Sequence, residues 1–222
     1  HAYACRILNL SFGLASDSTA LREAVEHARA QGVLLVAAVG NAGTETLYYP
    51  AAYPGVVGVG SVGRTLAPAT ATQHNDSVDL TAPGEKVLGL GIGGPDDYET
   101  GSGTSYAAPC VTAAAALALE AAPELTAEEL TQLLCDSAED LGAPGYDTSY
   151  GWGLLSLPAL LERAAGDAPL TLEQSGGQLL LTGLWTGPAG GGPLWAAFFA
   201  GGRVLGCPEG AGEGAAEGAP RD

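Results

Sequence analysis

An α/β domain on a parallel sheet is the fold this 222-residue sequence predicts, and three observations predict it. An apolar run at residues 5–10 (CRILNL), a helical repeat and a second apolar run at 33–39 follow one another, and strand–helix–strand crossovers make parallel sheets. The second run, VLLVAAV, does not alternate, which marks a strand covered on both faces. Further strand-like runs then give way to helices at 105–121 and 126–138, enough elements to cover both sides of such a sheet.

Each element has a local cause. Residues 5–10 read as a buried strand that leaves into a loop at Ser11-Phe12-Gly13. Asp17 or Ser18 can cap the helix that follows, where Leu21, Ala24, Val25 and Ala28 recur at helical spacing and Gly32 ends it. After residues 33–39 comes a long loop at 40–55, then a strand at 56–62. Short strands are expected at 78–80 and 87–90, separated by an Ala82-Pro83-Gly84 turn. Residues 105–121 are alanine- and leucine-rich and helical. Thr126 with Glu129 three residues on is a capping box opening a helix to 138, and a short helix spans 158–164.

The character changes after Gly166. Short strands are expected at 170–172, 178–184, 194–199 and 203–205, broken by glycine pairs. Residues 208–222 are rich in Gly, Ala, Glu and Pro and are expected to be disordered. The organisation is therefore a domain at 1–165, a β-rich appendage at 166–207 and a tail at 208–222.

Composition narrows the function. A net charge of -17 argues against a nucleic-acid partner, whose phosphates need a basic surface. No run of eighteen strongly apolar residues exists, and the richest stretch, 111–119, is far too short to span a bilayer. Cys5, Cys110, Cys135 and Cys207 show no CxxC pairing, so neither a zinc site nor a disulfide framework is implied, and no metal ligands are nominated. Cys110 and Cys135 suit free, buried thiols. The chain has no methionine and opens on His1, so the natural N-terminus is expected to lie upstream, with any signal peptide in that part.

Two segments carry chemistry. Gly103-Thr104-Ser105-Tyr106-Ala107-Ala108-Pro109 runs from a glycine-rich loop into a helix. A serine there has an exposed hydroxyl and an unpaired N–H, and the positive end of the helix dipole favours a developing oxyanion. Alone, Ser105 reads better as an ordinary helix cap. Val39-Gly40-Asn41-Ala42-Gly43 follows the second apolar run, and ligands gather at the carboxyl ends of parallel strands. Alone, Asn41 also fits a plain turn.

Together they are far more specific. The order LNLSFG, VAAVGNAG, YYPAAYPGVVGVG, DLTAPG, GTSYAAP resembles the subtilase family (subtilisin-like serine peptidases), from about Ile7 to Ala165. The resemblance implies a three-layer α/β/α domain whose N-terminal part is missing, and a secreted or cell-surface endopeptidase acting on polypeptides. It implies Ser105 as acylated nucleophile and Asn41, with the Ser105 N–H, as oxyanion hole. Ser11, Phe12 and Gly13 match the segment that pairs with substrate as an added strand. Ala38, Val39 and Gly40 match the opposite wall of the primary specificity pocket, and Thr104 sits beside the nucleophile. Tyr49-Pro50 stands where the family has a cis peptide bond.

The chain also departs from the family. The triad's Asp and His motifs belong N-terminal of this segment, so a missing part must supply them. His1, His27 and His74 are not followed by the Gly-Thr that marks the family's catalytic histidine, and none is nominated. Tyr106 and Cys110 replace the usual methionine and histidine, swaps expected to be tolerated. Tyr48 stands where a glycine commonly floors the specificity pocket, which predicts a preference for small side chains. Gly63 replaces an Asp that helps bind a cation in relatives. No cofactor is required by the chemistry, and a structural calcium elsewhere is left open. The appended strands, notably WAAFFAGGRV, resemble accessory modules of secreted bacterial subtilases. Three functions are compatible: an endopeptidase, an inactive peptide-binding pseudoprotease, and a processed chain completed in trans by a partner fragment.

Overall fold

The structure, a computed structural model, describes residues 5–94 and 96–166 together with the strands at 170–175, 178–185 and 192–197. One parallel sheet has the order β1 (Ile7–Leu10), β2 (Leu34–Ala38), β3 (Val56–Val62), β4 (Leu80–Pro83). Helix α1 (Thr19–Ala30) makes the crossover from β1 to β2. Strands β2 and β3 are buried at every residue, as a non-alternating apolar run requires.

Successive β2 side chains point to opposite faces, and each face has its own core. Leu34, Val36 and Ala38 pack with Val57 and Val59 under helix α2 (Thr104–Ala121), helped by α3 (Ala127–Asp136) and α4 (Leu157–Ala165). Leu35, Ala37 and Val39 pack on the other side with Val56 and with Val25 of α1. The result is three layers, helices on both faces of the sheet. The buried stripe of α2 is Ala107, Ala108, Val111, Ala114, Ala115 and Ala118, mostly methyl groups, so the helix backbone lies close against the sheet. Thr126 caps α3 with the expected reciprocal bonds to Glu129.

The strand expected at 78–80 is corrected. Strand β4 runs from Leu80 to Pro83, through the residues read as a turn, because its register is set by β3, from Val59↔Leu80 to Val62↔Pro83. Pro83 is tolerated as the last residue of a terminal strand. The outer side of β4 is covered locally, Thr81 N donating to Gly153 O and Leu155 N to Thr81 O, each at 2.8 Å. Strand β5 (Val87–Leu90) is joined by a strand the pattern did not mark, β6 (Tyr98–Gly101), in an antiparallel hairpin leading to α2.

Beyond Gly166, β7 (Leu170–Ser175), β8 (Gln178–Trp185) and β9 (Gly192–Ala197) form an antiparallel sheet in that order. The strand expected at 203–205 and the tail at 208–222 lie outside the described residues. Among the described residues no helix is long and apolar enough to cross a membrane.

Candidate active site

Ser105 is the second residue of α2, whose N-cap, Gly103, has no side chain with which to cap it. The cap comes from across the sheet instead: Asn41 Oδ1 accepts from Thr104 N at 2.8 Å and from Thr104 Oγ1 at 3.1 Å. With its oxygen so engaged, the Asn41 amide keeps Nδ2 as a donor that no group among the described residues accepts. The Ser105 N–H, in the unpaired first turn of the helix, is likewise without an acceptor there. Gly103 has φ +144°, and a Cβ on it would sit 3.2 Å from Asn41 Nδ2 and 3.3 Å from Ser105 Oγ. A glycine is needed here because any side chain would fill the space between these two groups.

Pro109 explains a second contact. Lacking an N–H, it cannot bond the carbonyl four residues back, which is that of Ser105. Ser11 Oγ donates to that orphaned oxygen at 3.0 Å. Ser11 Oγ in turn accepts from Asn9 Nδ2 at 2.8 Å, and Asn9 Oδ1 accepts from Thr112 Oγ1 at 2.9 Å. The end of β1 and the start of α2 are thereby tied together.

These elements enclose a cleft of about 280 Å³ lined by Ser11, Phe12, Gly13, Ala38, Gly40, Asn41, Ala42, Tyr48, Thr104 and Ser105. Of the residues singled out from sequence, only Val39 does not line it; its side chain is fully buried in the α1-side core. Strand alternation accounts for this, since Ala38 faces the α2 side and Val39 the reverse. Phe12 is half exposed, and the N–H and C=O groups of Phe12 and Gly13 make no bond among the described residues, leaving an open edge. Leu14 and Tyr49 exchange two 2.8 Å backbone bonds, which brings the Ser11–Gly13 segment beside Tyr48. The Tyr48 ring stands between the walls: a Cβ on Gly13 would meet its Cδ1 at 3.2 Å, and one on Gly40, φ +111°, its Cγ at 3.0 Å. The Tyr49–Pro50 bond is cis.

Sequence reasoning missed Gln73. It is fully buried, and its Oε1 accepts from Ala42 N at 3.1 Å and Thr44 N at 2.9 Å. Nothing in a polar stretch such as Thr72-Gln73-His74-Asn75 signals that three of its members, Gln73 most completely, are interior.

Neither described histidine, His27 in α1 or His74 in the loop before β4, lines the cleft. His1 lies outside the described residues. Cys5, Cys110 and Cys135 are free. Burial pushes the Cys110 thiol up, and burial followed by the charges of Asp79 and Asp136 pushes Cys135 up to about 12, which makes both poor nucleophiles. Among the described residues no group of three or more His, Cys, Asp or Glu is placed to hold a metal.

A second cavity, about 260 Å³, lies beyond Tyr53 and is lined in part by Asp76 and Asp79. Burial raises the Asp79 carboxyl to about 6, against the opposing bond that its Oδ2 accepts from Gly58 N at 2.7 Å. A raised carboxylate pKa means the folded state holds the proton more tightly than the unfolded chain. Stability from this group is full below roughly pH 4 and falls as pH rises to about 6, by at most about 3 kcal/mol and less with partial exposure. Asp79→Asn, which can still accept from Gly58, is expected to raise Tm at pH 7–8 in metal-free buffer and to leave it unchanged near pH 4. Thermal melts of the full-length protein at both pH values check this, and equal shifts at both would contradict it.

The sequence profile described as "Subtilase family" matches residues 2–153. The chain is 39% identical over 170 residues to the Minor extracellular protease Epr of Bacillus subtilis (strain 168), covering 76% of this chain and 26% of that protein. It is 37% identical over 157 residues to Subtilisin DY of Bacillus licheniformis, covering 69% and 56% respectively. Among solved structures, a protease from Pseudoalteromonas arctica PAMC 21717 superimposes with TM-score 0.66 at 31% identity, covering 72% of this chain and 51% of the other. The Prenylagaramide maturation protease PagA does so with TM-score 0.65 at 27% identity, covering 73% and 63%. The chain thus spans between a quarter and somewhat over half of the length of these two curated relatives.

Proposed function

The chain belongs to the subtilase family, with its α/β subtilisin-like fold, and from that premise we propose that it is the nucleophile-bearing part of a secreted or cell-surface serine endopeptidase. Ser105 attacks the scissile carbonyl of a polypeptide and forms an acyl-enzyme. Asn41 Nδ2 and the Ser105 N–H stabilise the oxyanion. The observation that carries this reading is the orientation of Asn41, its Oδ1 bonded to Thr104 and its Nδ2 left to donate beside Ser105. The general base and its Asp partner come from residues outside these 222, and no cofactor takes part. Without a base the Ser105 hydroxyl is a weak nucleophile, so the segment alone is close to inactive. The division at Gly166 fits this reading, residues 1–165 supplying the peptidase part and 166–207 an accessory module.

Substrate binds as an extended strand along Phe12 and Gly13, whose backbone groups are open. The Tyr48 ring, wedged between Gly13 and Gly40, shortens the pocket for the residue preceding the scissile bond, so small side chains are preferred. Tyr48→Gly is expected to raise kcat/KM for a phenylalanine at that position relative to alanine by at least about 10-fold, the scale of discrimination a hydrophobic pocket supplies. A peptide series varied only there is the measurement, and a wild-type preference for large aromatics would overturn the assignment.

One observation favours a second reading, an inactive peptide-binding pseudoprotease: neither described histidine lines the cleft. Labelling the natural full-length protein with a fluorophosphonate, followed by peptide mapping, separates the two. A stoichiometric adduct on Ser105 supports the enzyme. No adduct on folded protein, with a known protease labelled in parallel, supports the pseudoprotease.

A further inference from the structure

The loop that carries Asn41 is tied down at its far side, where Gly43 N donates to Ala71 O at 2.8 Å, His74 N to Thr44 O at 3.1 Å and Asn75 Nδ2 to Thr46 O at 3.1 Å. Asn41 and Ala42 are exposed and the residues from Thr44 to Leu47 are too, and a donor for an oxyanion is useful only if it is already aimed when charge develops. Of the groups that hold the loop, one side chain from elsewhere makes four of the bonds. Gln73 is 0% exposed and uses all four hydrogen-bonding positions of its amide that geometry allows. Its Oε1 accepts from Ala42 N at 3.1 Å and Thr44 N at 2.9 Å, and its Nε2 donates to Thr44 Oγ1 at 3.0 Å and Thr46 O at 2.7 Å. Its own backbone N donates to Gly40 O at 3.2 Å. The residues immediately before and after Asn41 are therefore both bonded to Gln73, one through the main chain and one through the side chain.

We propose that Gln73 is the positioning residue of the oxyanion hole, fixing the backbone on both sides of Asn41 so that Nδ2 is aimed beside Ser105. The inference rests on the acyl-enzyme reading above. Gln73 itself touches no substrate: it does not line the cleft and is wholly covered. Its effect must pass through Asn41, which makes the two positions energetically coupled. A merely structural glutamine would instead act on stability alike whether or not Asn41 can donate.

The test is a double-mutant cycle in the natural full-length protein, with kcat and KM measured on a peptide amide. Gln73→Met has nearly the same size and deletes all the side-chain bonds. It is expected to lower kcat by about 10–100-fold, below the loss of the donor itself and in line with a misplacement of the order of an ångström, with KM within about 2-fold. In an Asn41→Leu background the same substitution is expected to change kcat less than about 3-fold, because no donor remains to be misplaced. Equal losses in both backgrounds, a change confined to KM, or no change overturns the proposal. Should Gln73→Met fail to fold, Gln73→Leu decides by the same criterion, since it likewise deletes the acceptor for Ala42 and Thr44 and the donors to Thr44 and Thr46 without burying a charge. Fluorophosphonate labelling of the unmutated protein is run first. Absence of an adduct on Ser105 overturns the acyl-enzyme reading and this inference with it, whereas an adduct with uncoupled losses overturns only the role of Gln73.

Discussion

Asn41→Leu is expected to reduce kcat by about 10²–10³ with KM nearly unchanged, a range that is the precedent for an oxyanion donor of this kind in a subtilisin. The split follows from where the bond is made. A neutral carbonyl oxygen gains little from the Nδ2 donor, while the oxyanion that replaces it gains a charge-assisted bond in a site aimed in advance. Leucine has a similar size, so the cleft keeps its shape. The Thr104 N–H and hydroxyl, on a wholly buried residue, lose their acceptor, so a stability loss of about 1–3 kcal/mol is expected beside the kinetic effect. Asn41→Asp separates the two ends of the amide. It keeps an acceptor for Thr104 and removes the donor, and it brings a negative charge to where one must develop, so kcat should fall at least as far as with leucine. Recovery of kcat in the aspartate variant would mean that Asn41 serves by bonding Thr104 and not by donating from Nδ2. A rise in KM at constant kcat would place Asn41 in substrate binding.

Much of this site was legible in the sequence because its parts are tied to local rules. An apolar run followed by Gly40-Asn41 puts an asparagine at the carboxyl end of a buried strand, and Gly103-Thr104-Ser105 puts a serine in the first turn of a helix. The structure brings those two ends together since β2 lies beneath α2 in one core. What was not legible depends on where distant backbone returns. Strand β6 is Tyr98-Glu99-Thr100-Gly101, mostly exposed and without apolar alternation, and exists as a strand through its pairing with Val87–Leu90. The span of β4 is hidden because Ala82-Pro83-Gly84 has turn chemistry locally, whereas pairing with Ser61 and Val62 extends the strand through Ala82 and Pro83. Gln73 has no periodic signature, its burial arising from the fold of the 40–46 loop over it. The motif around Val39 suggests a wall residue, whereas strand alternation sends its side chain to the far core.

Ser105→Ala should have the largest effect. Peptidase activity of the full-length protein is expected to fall by about 10⁶ in kcat, the precedent for the nucleophile of a subtilisin, and fluorophosphonate labelling should vanish. The protein should nonetheless fold as before. Ser105 Oγ bonds no group among the described residues, and the contact that anchors this turn, from Ser11 Oγ to the Ser105 carbonyl, is made to the main chain and survives the substitution. The helix start also keeps its cap from Asn41 through Thr104. An unchanged Tm beside a lost activity therefore assigns the loss to chemistry. The comparison with Asn41→Leu then becomes informative. Nucleophile and base act as one unit, so once Ser105 is gone, removing the histidine supplied from outside this segment should cost almost nothing more. The oxyanion donors act on whatever attacks, and can still assist direct attack by water in the Ser105→Ala protein, which leaves a residual rate of about 10³–10⁴ over uncatalysed hydrolysis. Adding Asn41→Leu to Ser105→Ala should thus lower that residue further. If hydrolysis at the wild-type rate persists in Ser105→Ala, the nucleophile lies elsewhere, and the cleft between Tyr48 and Ser105 binds peptides without cutting them.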